Sequence, residues 1–188
     1  MTKVLVVNFG SQWTHRIWRR LRDIGCETSI IDVNTPLEQL DCDGIILSGG
    51  AVRIALGDSS QVGHANEYLD SFGKPILGIC AGQQFIAMHF GGKCEPSANP
   101  EYGEVEIIVE KEDGLFKGVP KKFTAWASHN DEVTEYPGFE LLARSSKGVN
   151  HAIMHKKKPI YGTLFHPEVE HTQYGEEIIK NFVELCKE

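Results

Sequence analysis

Positive charge is scarce in this 188-residue chain: 19 Lys and Arg stand against 26 Asp and Glu, a formal net charge of −7. Nucleic-acid binders normally show a basic surplus, so that class is set aside. Apolar runs are short too, and none approaches the roughly 20 residues that cross a bilayer as a helix, so no membrane role is expected. Cysteines are few and unpaired. Cys26, Cys42, Cys80, Cys94 and Cys186 form an odd set with no close spacing, which supports neither a disulfide framework nor a zinc or other metal site. A Gly-x-x-x-x-Gly-Lys loop and a dinucleotide fingerprint are also missing, so the residues support no ATP or NAD site. With no repeat, low-complexity tract or long linker, residues 1–188 predict a single domain. Met1-Thr2-Lys3-Val4-Leu5-Val6-Val7 enters a strand-like run with no signal-peptide layout, and a cytoplasmic location is expected.

What is present is a soluble, globular composition, 41% apolar and 24% charged. In the first half, continuous apolar runs alternate with helical periodicity, which predicts strands near 3–7, 27–32, 43–47 and 75–79 and helices near 11–24, 60–72 and 82–91. After Gly91-Gly92 the pattern turns to short alternating strands near 93–96, 104–109, 122–126, 139–145, 149–154 and 159–164, then a helix near 174–186. The expected fold class is α/β: an open, mostly parallel central sheet flanked by helices, with additional antiparallel strands in the second half. The basic runs at His15–Arg22 and Lys156–Lys158 read as solvated faces, and Trp13 and Trp18 as core or partner contacts.

The densest chemical signal is Gly78-Ile79-Cys80-Ala81-Gly82, between the apolar run Pro75-Ile76-Leu77 and the helical run from Gln83. A nucleophile on a tight strand-to-helix turn leaves no room for side chains two residues away, which the glycines satisfy. The helix would aim its free N–H groups and positive dipole end at the sulfur, favouring thiolate. Alone, the pentapeptide is equally compatible with a buried structural cysteine. His166 and Glu168 in Phe165-His166-Pro167-Glu168 supply a base and its orienter, and residues two apart on an extended segment face the same side. Gly49-Gly50, Cys80 and His166 with Glu168 all follow strand ends, the rim where open sheets bind ligands.

Ser48-Gly49-Gly50, then Gly78-Ile79-Cys80-Ala81-Gly82-Gln83-Gln84, then His166-Pro167-Glu168 resemble the class I glutamine amidotransferase family along essentially the whole chain. Asn8-Phe9-Gly10-Ser11-Gln12, Trp126-Ala127-Ser128-His129-Asn130-Asp131 and Phe165-His166-Pro167-Glu168-Val169 are most similar to the glutaminase part of GMP synthetase within it. The resemblance implies a Cys80, His166, Glu168 triad that hydrolyses L-glutamine, with Gly50 and Ala81 N–H groups as oxyanion donors. It implies Gln84, Ser128, Asn130 and Asp131 as substrate-binding residues, the last three on a polar turn. It further implies a separate synthetase subunit that aminates XMP, with ATP and magnesium on that partner and no cofactor in this chain. Ala51 stands where the family commonly has proline, which frees the loop presenting Gly50 and predicts low activity without the partner.

Other readings share the same residues. The triad also serves a cysteine peptidase, a small-amide hydrolase, or glutaminases for anthranilate, aminodeoxychorismate or carbamoyl phosphate synthesis. A silent regulatory module would keep the fold alone. Ser48-Gly49-Gly50 as an ATP pyrophosphatase phosphate loop fails on its continuation, Ala51-Val52-Arg53, which lacks that motif's acidic residue and serine.

Overall fold

The uninterrupted apolar runs of the first half become the middle of a sheet covered on both faces. The computed structural model describes residues 1–50, 62–112 and 114–187. Strands β1 (Lys3–Asn8), β2 (Glu27–Asp32), β3 (Gly44–Leu47) and β4 (Ile76–Ile79) are parallel. Strands β5 (Lys93–Val109), β6 (Lys122–Glu135), β7 (Phe139–Ser145) and β8 (Asn150–His155) form an antiparallel extension, and β9 (Ile160–Thr163) joins the two parts by pairing parallel to β4 and antiparallel to β8. Among the described residues the sheet order is β2-β1-β3-β4-β9-β8-β7-β5-β6.

Period-2 alternation divides the core between the faces. Val4 and Val6 pack on one side with Ile17 and Leu21 of α1 (Thr14–Asp23) and Phe182 of α4 (Gly175–Leu185). Leu5 and Val7 pack on the other with Tyr68 of α2 (Ala65–Ser71) and Ile86 of α3 (Ala81–His89). Helix α1 buries Thr14, Ile17 and Leu21, a single stripe at helical spacing, and ends with Arg20 and Arg22 against the negative end of its dipole. Helix α3 is buried from Ala81 through Ala87. Its position fixes the turn before it.

The sequence expectation is corrected at three places. The runs near 93–96 and 104–109 are one strand, β5, whose ladder with β6 is irregular between Pro96 and Glu101. Two prolines fall at that irregularity, where donors are not needed. The run near 122–126 continues to Glu135, so Ser128, Asn130 and Asp131 belong to a strand and not to a turn. Finally, His166 and Glu168 are not on an extended segment: beyond β9 the chain turns, with the Val169 N–H on the His166 carbonyl at 3.3 Å. Ala51 and the first residues of the helix expected at 60–72 lie outside the described residues.

Candidate active site

Cys80 sits between β4 and α3 with φ 52° and ψ −106°, a conformation that costs a non-glycine residue about 1–3 kcal/mol. The flanking glycines explain how the chain reaches it. A Cβ on Gly78 would meet the Gly82 carbonyl carbon at 2.5 Å, and one on Gly82 would meet the Leu47 carbonyl oxygen at 2.6 Å. The Cys80 N–H is bonded to the Thr163 carbonyl at 2.7 Å, tying the elbow to β9. No described side chain caps α3, and its first-turn N–H groups, that of Ala81 included, have no intrahelical acceptors.

His166 is 3% exposed, and its Nδ1 lies 2.8 Å from Oε1 of the buried Glu168. The ring and Cys80 line one cleft, with His166 Cε1 and Cys80 Cβ 3.3 and 3.6 Å from a Cβ placed on Gly49, so the two residues that the sequence pairs are brought together. Burial alone would favour the neutral ring. The Glu168 carboxylate and the neighbouring Cys80 sulfur outweigh it and push the His166 pKa up to about 10. The turn that carries His166 is stapled to β6. The His166 N–H donates to the Trp126 carbonyl at 2.9 Å, and the Thr172 hydroxyl accepts from the Trp126 N–H at 2.9 Å while donating to the His166 carbonyl at 2.7 Å.

Holding the proton on His166 links the site to stability. An unfolded histidine titrates near about 6.5, so this site's contribution to stability is complete below that pH and is lost as pH rises through about 10. NMR should find imidazolium shifts for His166 at pH 8 and a midpoint near 10. Glu168→Gln should lower that midpoint; a wild-type midpoint near about 6.5 would contradict the arrangement.

Gly50 stands where only glycine fits, since a Cβ there would lie 2.1 Å from the Phe9 carbonyl oxygen. Ser48 fixes the approach. Its hydroxyl accepts from the Phe9 N–H at 2.9 Å and donates to the Gly49 carbonyl at 2.8 Å. Gly49 itself faces the triad, its missing Cβ being 3.3 Å from His166 Cε1 and 3.6 Å from Cys80 Cβ. Gly10, Ser11, Gln12, Trp13, Gly50, Cys80, Ser128 and His166 enclose a cleft of about 290 Å³, near the lower bound of about 300 Å³ for small-molecule sites.

Ser128 lines this cleft, and its carbonyl takes the Cys80 thiol at 3.8 Å. Gln84, Asn130 and Asp131 are not among the described residues lining it. Gln84 is buried one turn beyond Cys80, with its amide N–H on the Asp131 carbonyl at 3.0 Å. Asp131 is buried, whereas Asn130 is exposed and accepts the Tyr102 hydroxyl. Trp13, which the sequence marks only as a core or partner contact, belongs to the site: its ring meets the His166 ring edge-on at 4.5 Å. The signal for it is position, because residues 10–13 follow β1, on the same rim as the ends of β3, β4 and β9.

Known proteins resemble the chain along nearly its whole length. The family model for glutamine amidotransferase class-I matches residues 5–186. A glutamine-hydrolyzing GMP synthase subunit from Thermococcus kodakarensis is 47% identical over 189 aligned positions, covering 98% of this chain and 99% of the relative. Its counterpart from Thermoplasma acidophilum is 44% identical over 188, covering 99% and 94%. A crystal structure of a GMP synthase subunit from Thermoplasma acidophilum superposes with a TM-score of 0.94 at 44% identity, covering 100% of this chain and 94% of that one. A glutamine amidotransferase from Thermotoga maritima, 18% identical with a TM-score of 0.74, covers 99% and 82% and shares the fold. By sequence and by shape, the chain belongs to the class I glutamine amidotransferase family.

Proposed function

We propose that this chain is the glutaminase subunit of a two-subunit GMP synthetase, releasing ammonia from L-glutamine for a separate subunit that aminates XMP. The observation that carries the chemistry is the meeting of Cys80, His166 and Glu168 at one cleft whose wall includes Gly50. The choice of GMP synthesis rests on end-to-end likeness to relatives named as one subunit of the glutamine-hydrolyzing GMP synthase. A name of that form also supports a separate partner. ATP and magnesium belong to the partner in this reading, and the cytoplasm is the site of action. No described helix is long and apolar enough to cross a membrane.

The steps follow from the positions. The reacting form is the ion pair in which the Cys80 proton already resides on His166, and its sulfur attacks the side-chain amide carbon of glutamine. The carbonyl oxygen becomes an oxyanion held by the N–H groups of Gly50 and Ala81. His166 then gives its proton to the nitrogen, the C–N bond breaks, and ammonia leaves behind a glutamyl thioester. Water attacks that thioester with His166 as base, and glutamate departs as the thiol reforms. Glu168 holds the ring through Nδ1 and offsets its positive charge in both half-reactions. Ser128 faces the substrate, while Gln84 acts through the Asp131 carbonyl to hold β6 in place.

Mixing the chain with a synthetase subunit, XMP and ATP tests this reading. Glutamine should support GMP formation only when the chain is present, and a Cys80→Ala chain should leave only the ammonia-dependent reaction. Glutamine-dependent synthesis of anthranilate, aminodeoxychorismate or carbamoyl phosphate instead would reassign the partner.

A further inference from the structure

Behind the cleft lies a second polar cluster that the reaction does not use. Glu101 of β5, His129 of β6 and His151 of β8 are 1%, 4% and 0% exposed. Both imidazole Nε2 atoms point at one oxygen, Glu101 Oε2, at 3.0 Å from His129 and 2.6 Å from His151. Burial opposes ionisation of the Glu101 carboxyl, yet the two imidazoles hold it well below the usual carboxylate range. Burial keeps His151 below its ordinary value. The three could also be read as metal ligands. Donors around tetrahedral zinc at its usual bond lengths stand about 3.3 Å apart, however, and the observed separations are those of shared protons.

The cluster's place in the sheet gives it a purpose. On β5, residues 97–100 have no ladder partner on β6, where only Asn130 separates Asp131, paired with Pro96, from His129, paired with Glu101. Pairing therefore restarts at Glu101 opposite His129, and the next rung is Tyr102 opposite Ser128. A restart after such an irregularity can slip, and a slip of one residue turns every side chain to the other face. Here the slip would carry off the Ser128 carbonyl that meets Cys80 and the Trp126 groups that hold the His166 turn. The other arm reaches the same turn. The His151 carbonyl accepts the Leu164 N–H at 2.8 Å, and its ring stacks on Phe165, the neighbour of His166.

We propose that Glu101 is a positioning residue for glutamine hydrolysis, its one carboxylate oxygen fixing the register of β6 through His129 and the approach of the His166 turn through His151. The proposal rests on the glutaminase reading, so the wild-type chain is assayed alongside. With the XMP- and ATP-loaded synthetase subunit present in every assay, a wild type without glutaminase activity defeats that reading, whereas an active wild type isolates the fate of Glu101. The variants are Glu101→Ala and Glu101→Gln, the latter keeping the shape and an acceptor oxygen while losing the charge. Rates are expressed per chain that a thiol-directed glutamine analogue can label.

In Glu101→Ala, kcat should fall about 10²-fold with KM within about threefold, as expected when reacting groups are displaced by about an ångström. Glu101→Gln should recover part of that loss and show a shifted pH profile, because the carboxylate's charge no longer reaches the imidazoles. Should the alanine variant fail to fold, the glutamine variant carries the test. A lowered melting temperature with wild-type kcat per labelled chain and an unchanged pH profile would reduce Glu101 to a structural role and overturn the proposal. So would stoichiometric zinc in the isolated protein that Glu101→Gln releases.

Discussion

Replacing Cys80 with alanine should abolish glutamine hydrolysis, lowering kcat by at least about 10⁴-fold, because no other thiol lines the cleft among the described residues. The fold should survive the change. The residue is 8% exposed at the cleft wall, and its sulfur makes a long 3.8 Å contact to the Ser128 carbonyl. Stability gives a second readout of the same residue. At φ 52° a glycine is at ease and alanine is not, so Cys80→Gly should be more stable than Cys80→Ala by about 1 kcal/mol in chemical denaturation. An alanine variant retaining a tenth of wild-type turnover would remove Cys80 from the reaction, and equal stability of the two variants would mean that the elbow is unstrained.

The next largest effect is expected at Gly50. An alanine Cβ there would fall 2.1 Å from the Phe9 carbonyl oxygen and 3.0 Å from its carbon, both backbone atoms that no side-chain rotation can move aside. The Gly50 segment must therefore shift away from the cleft. Phe9 has little freedom to yield, since its N–H is held by Ser48, which also holds the Gly49 carbonyl. Loss of an oxyanion donor costs about 10²–10³ in kcat, so Gly50→Ala should lose that much with KM within about threefold. Steady-state glutaminase assays decide it. A rise in KM at constant kcat would place Gly50 in substrate binding and not in transition-state stabilisation.

The sequence discloses the site where local sterics dictate residue type, and conceals it where the partner is remote. Gly78 is forced by contacts with the start of α3 and Gly82 by the Leu47 backbone of β3, yet their spacing about Cys80 matches a nucleophile turn and can be read without coordinates. His166 and Glu168 are legible as a pair, although they meet across a turn and not along an extended strand. The second half is harder to read. In β6 the buried positions run Phe123, Ala125, Ala127, His129, Asp131 and Val133, so two polar residues break the apolar alternation that would have announced a strand. The burial of His129 is made tolerable by Glu101, a contact that no local pattern contains. Gln84 falls one turn from Cys80, as helical spacing requires, but its bond to the Asp131 carbonyl depends on where β6 lies. Trp13 is hidden for the same reason: its edge-on contact with His166 joins segments far apart in the chain.

The most direct measurement is to quench the enzyme with acid during turnover of glutamine and locate the glutamyl group by peptide mass spectrometry. Burial pushes the thiol of Cys42 up to about 11 and those of Cys94 and Cys186 up to about 12, and it raises that of Cys26, which leaves these four poor nucleophiles near neutral pH. A thioester on Cys80 alone is the predicted result, building up when Glu168→Gln slows its hydrolysis. A glutamyl group on any other cysteine, or hydrolysis that continues with no acylated cysteine, would contradict the thiol mechanism.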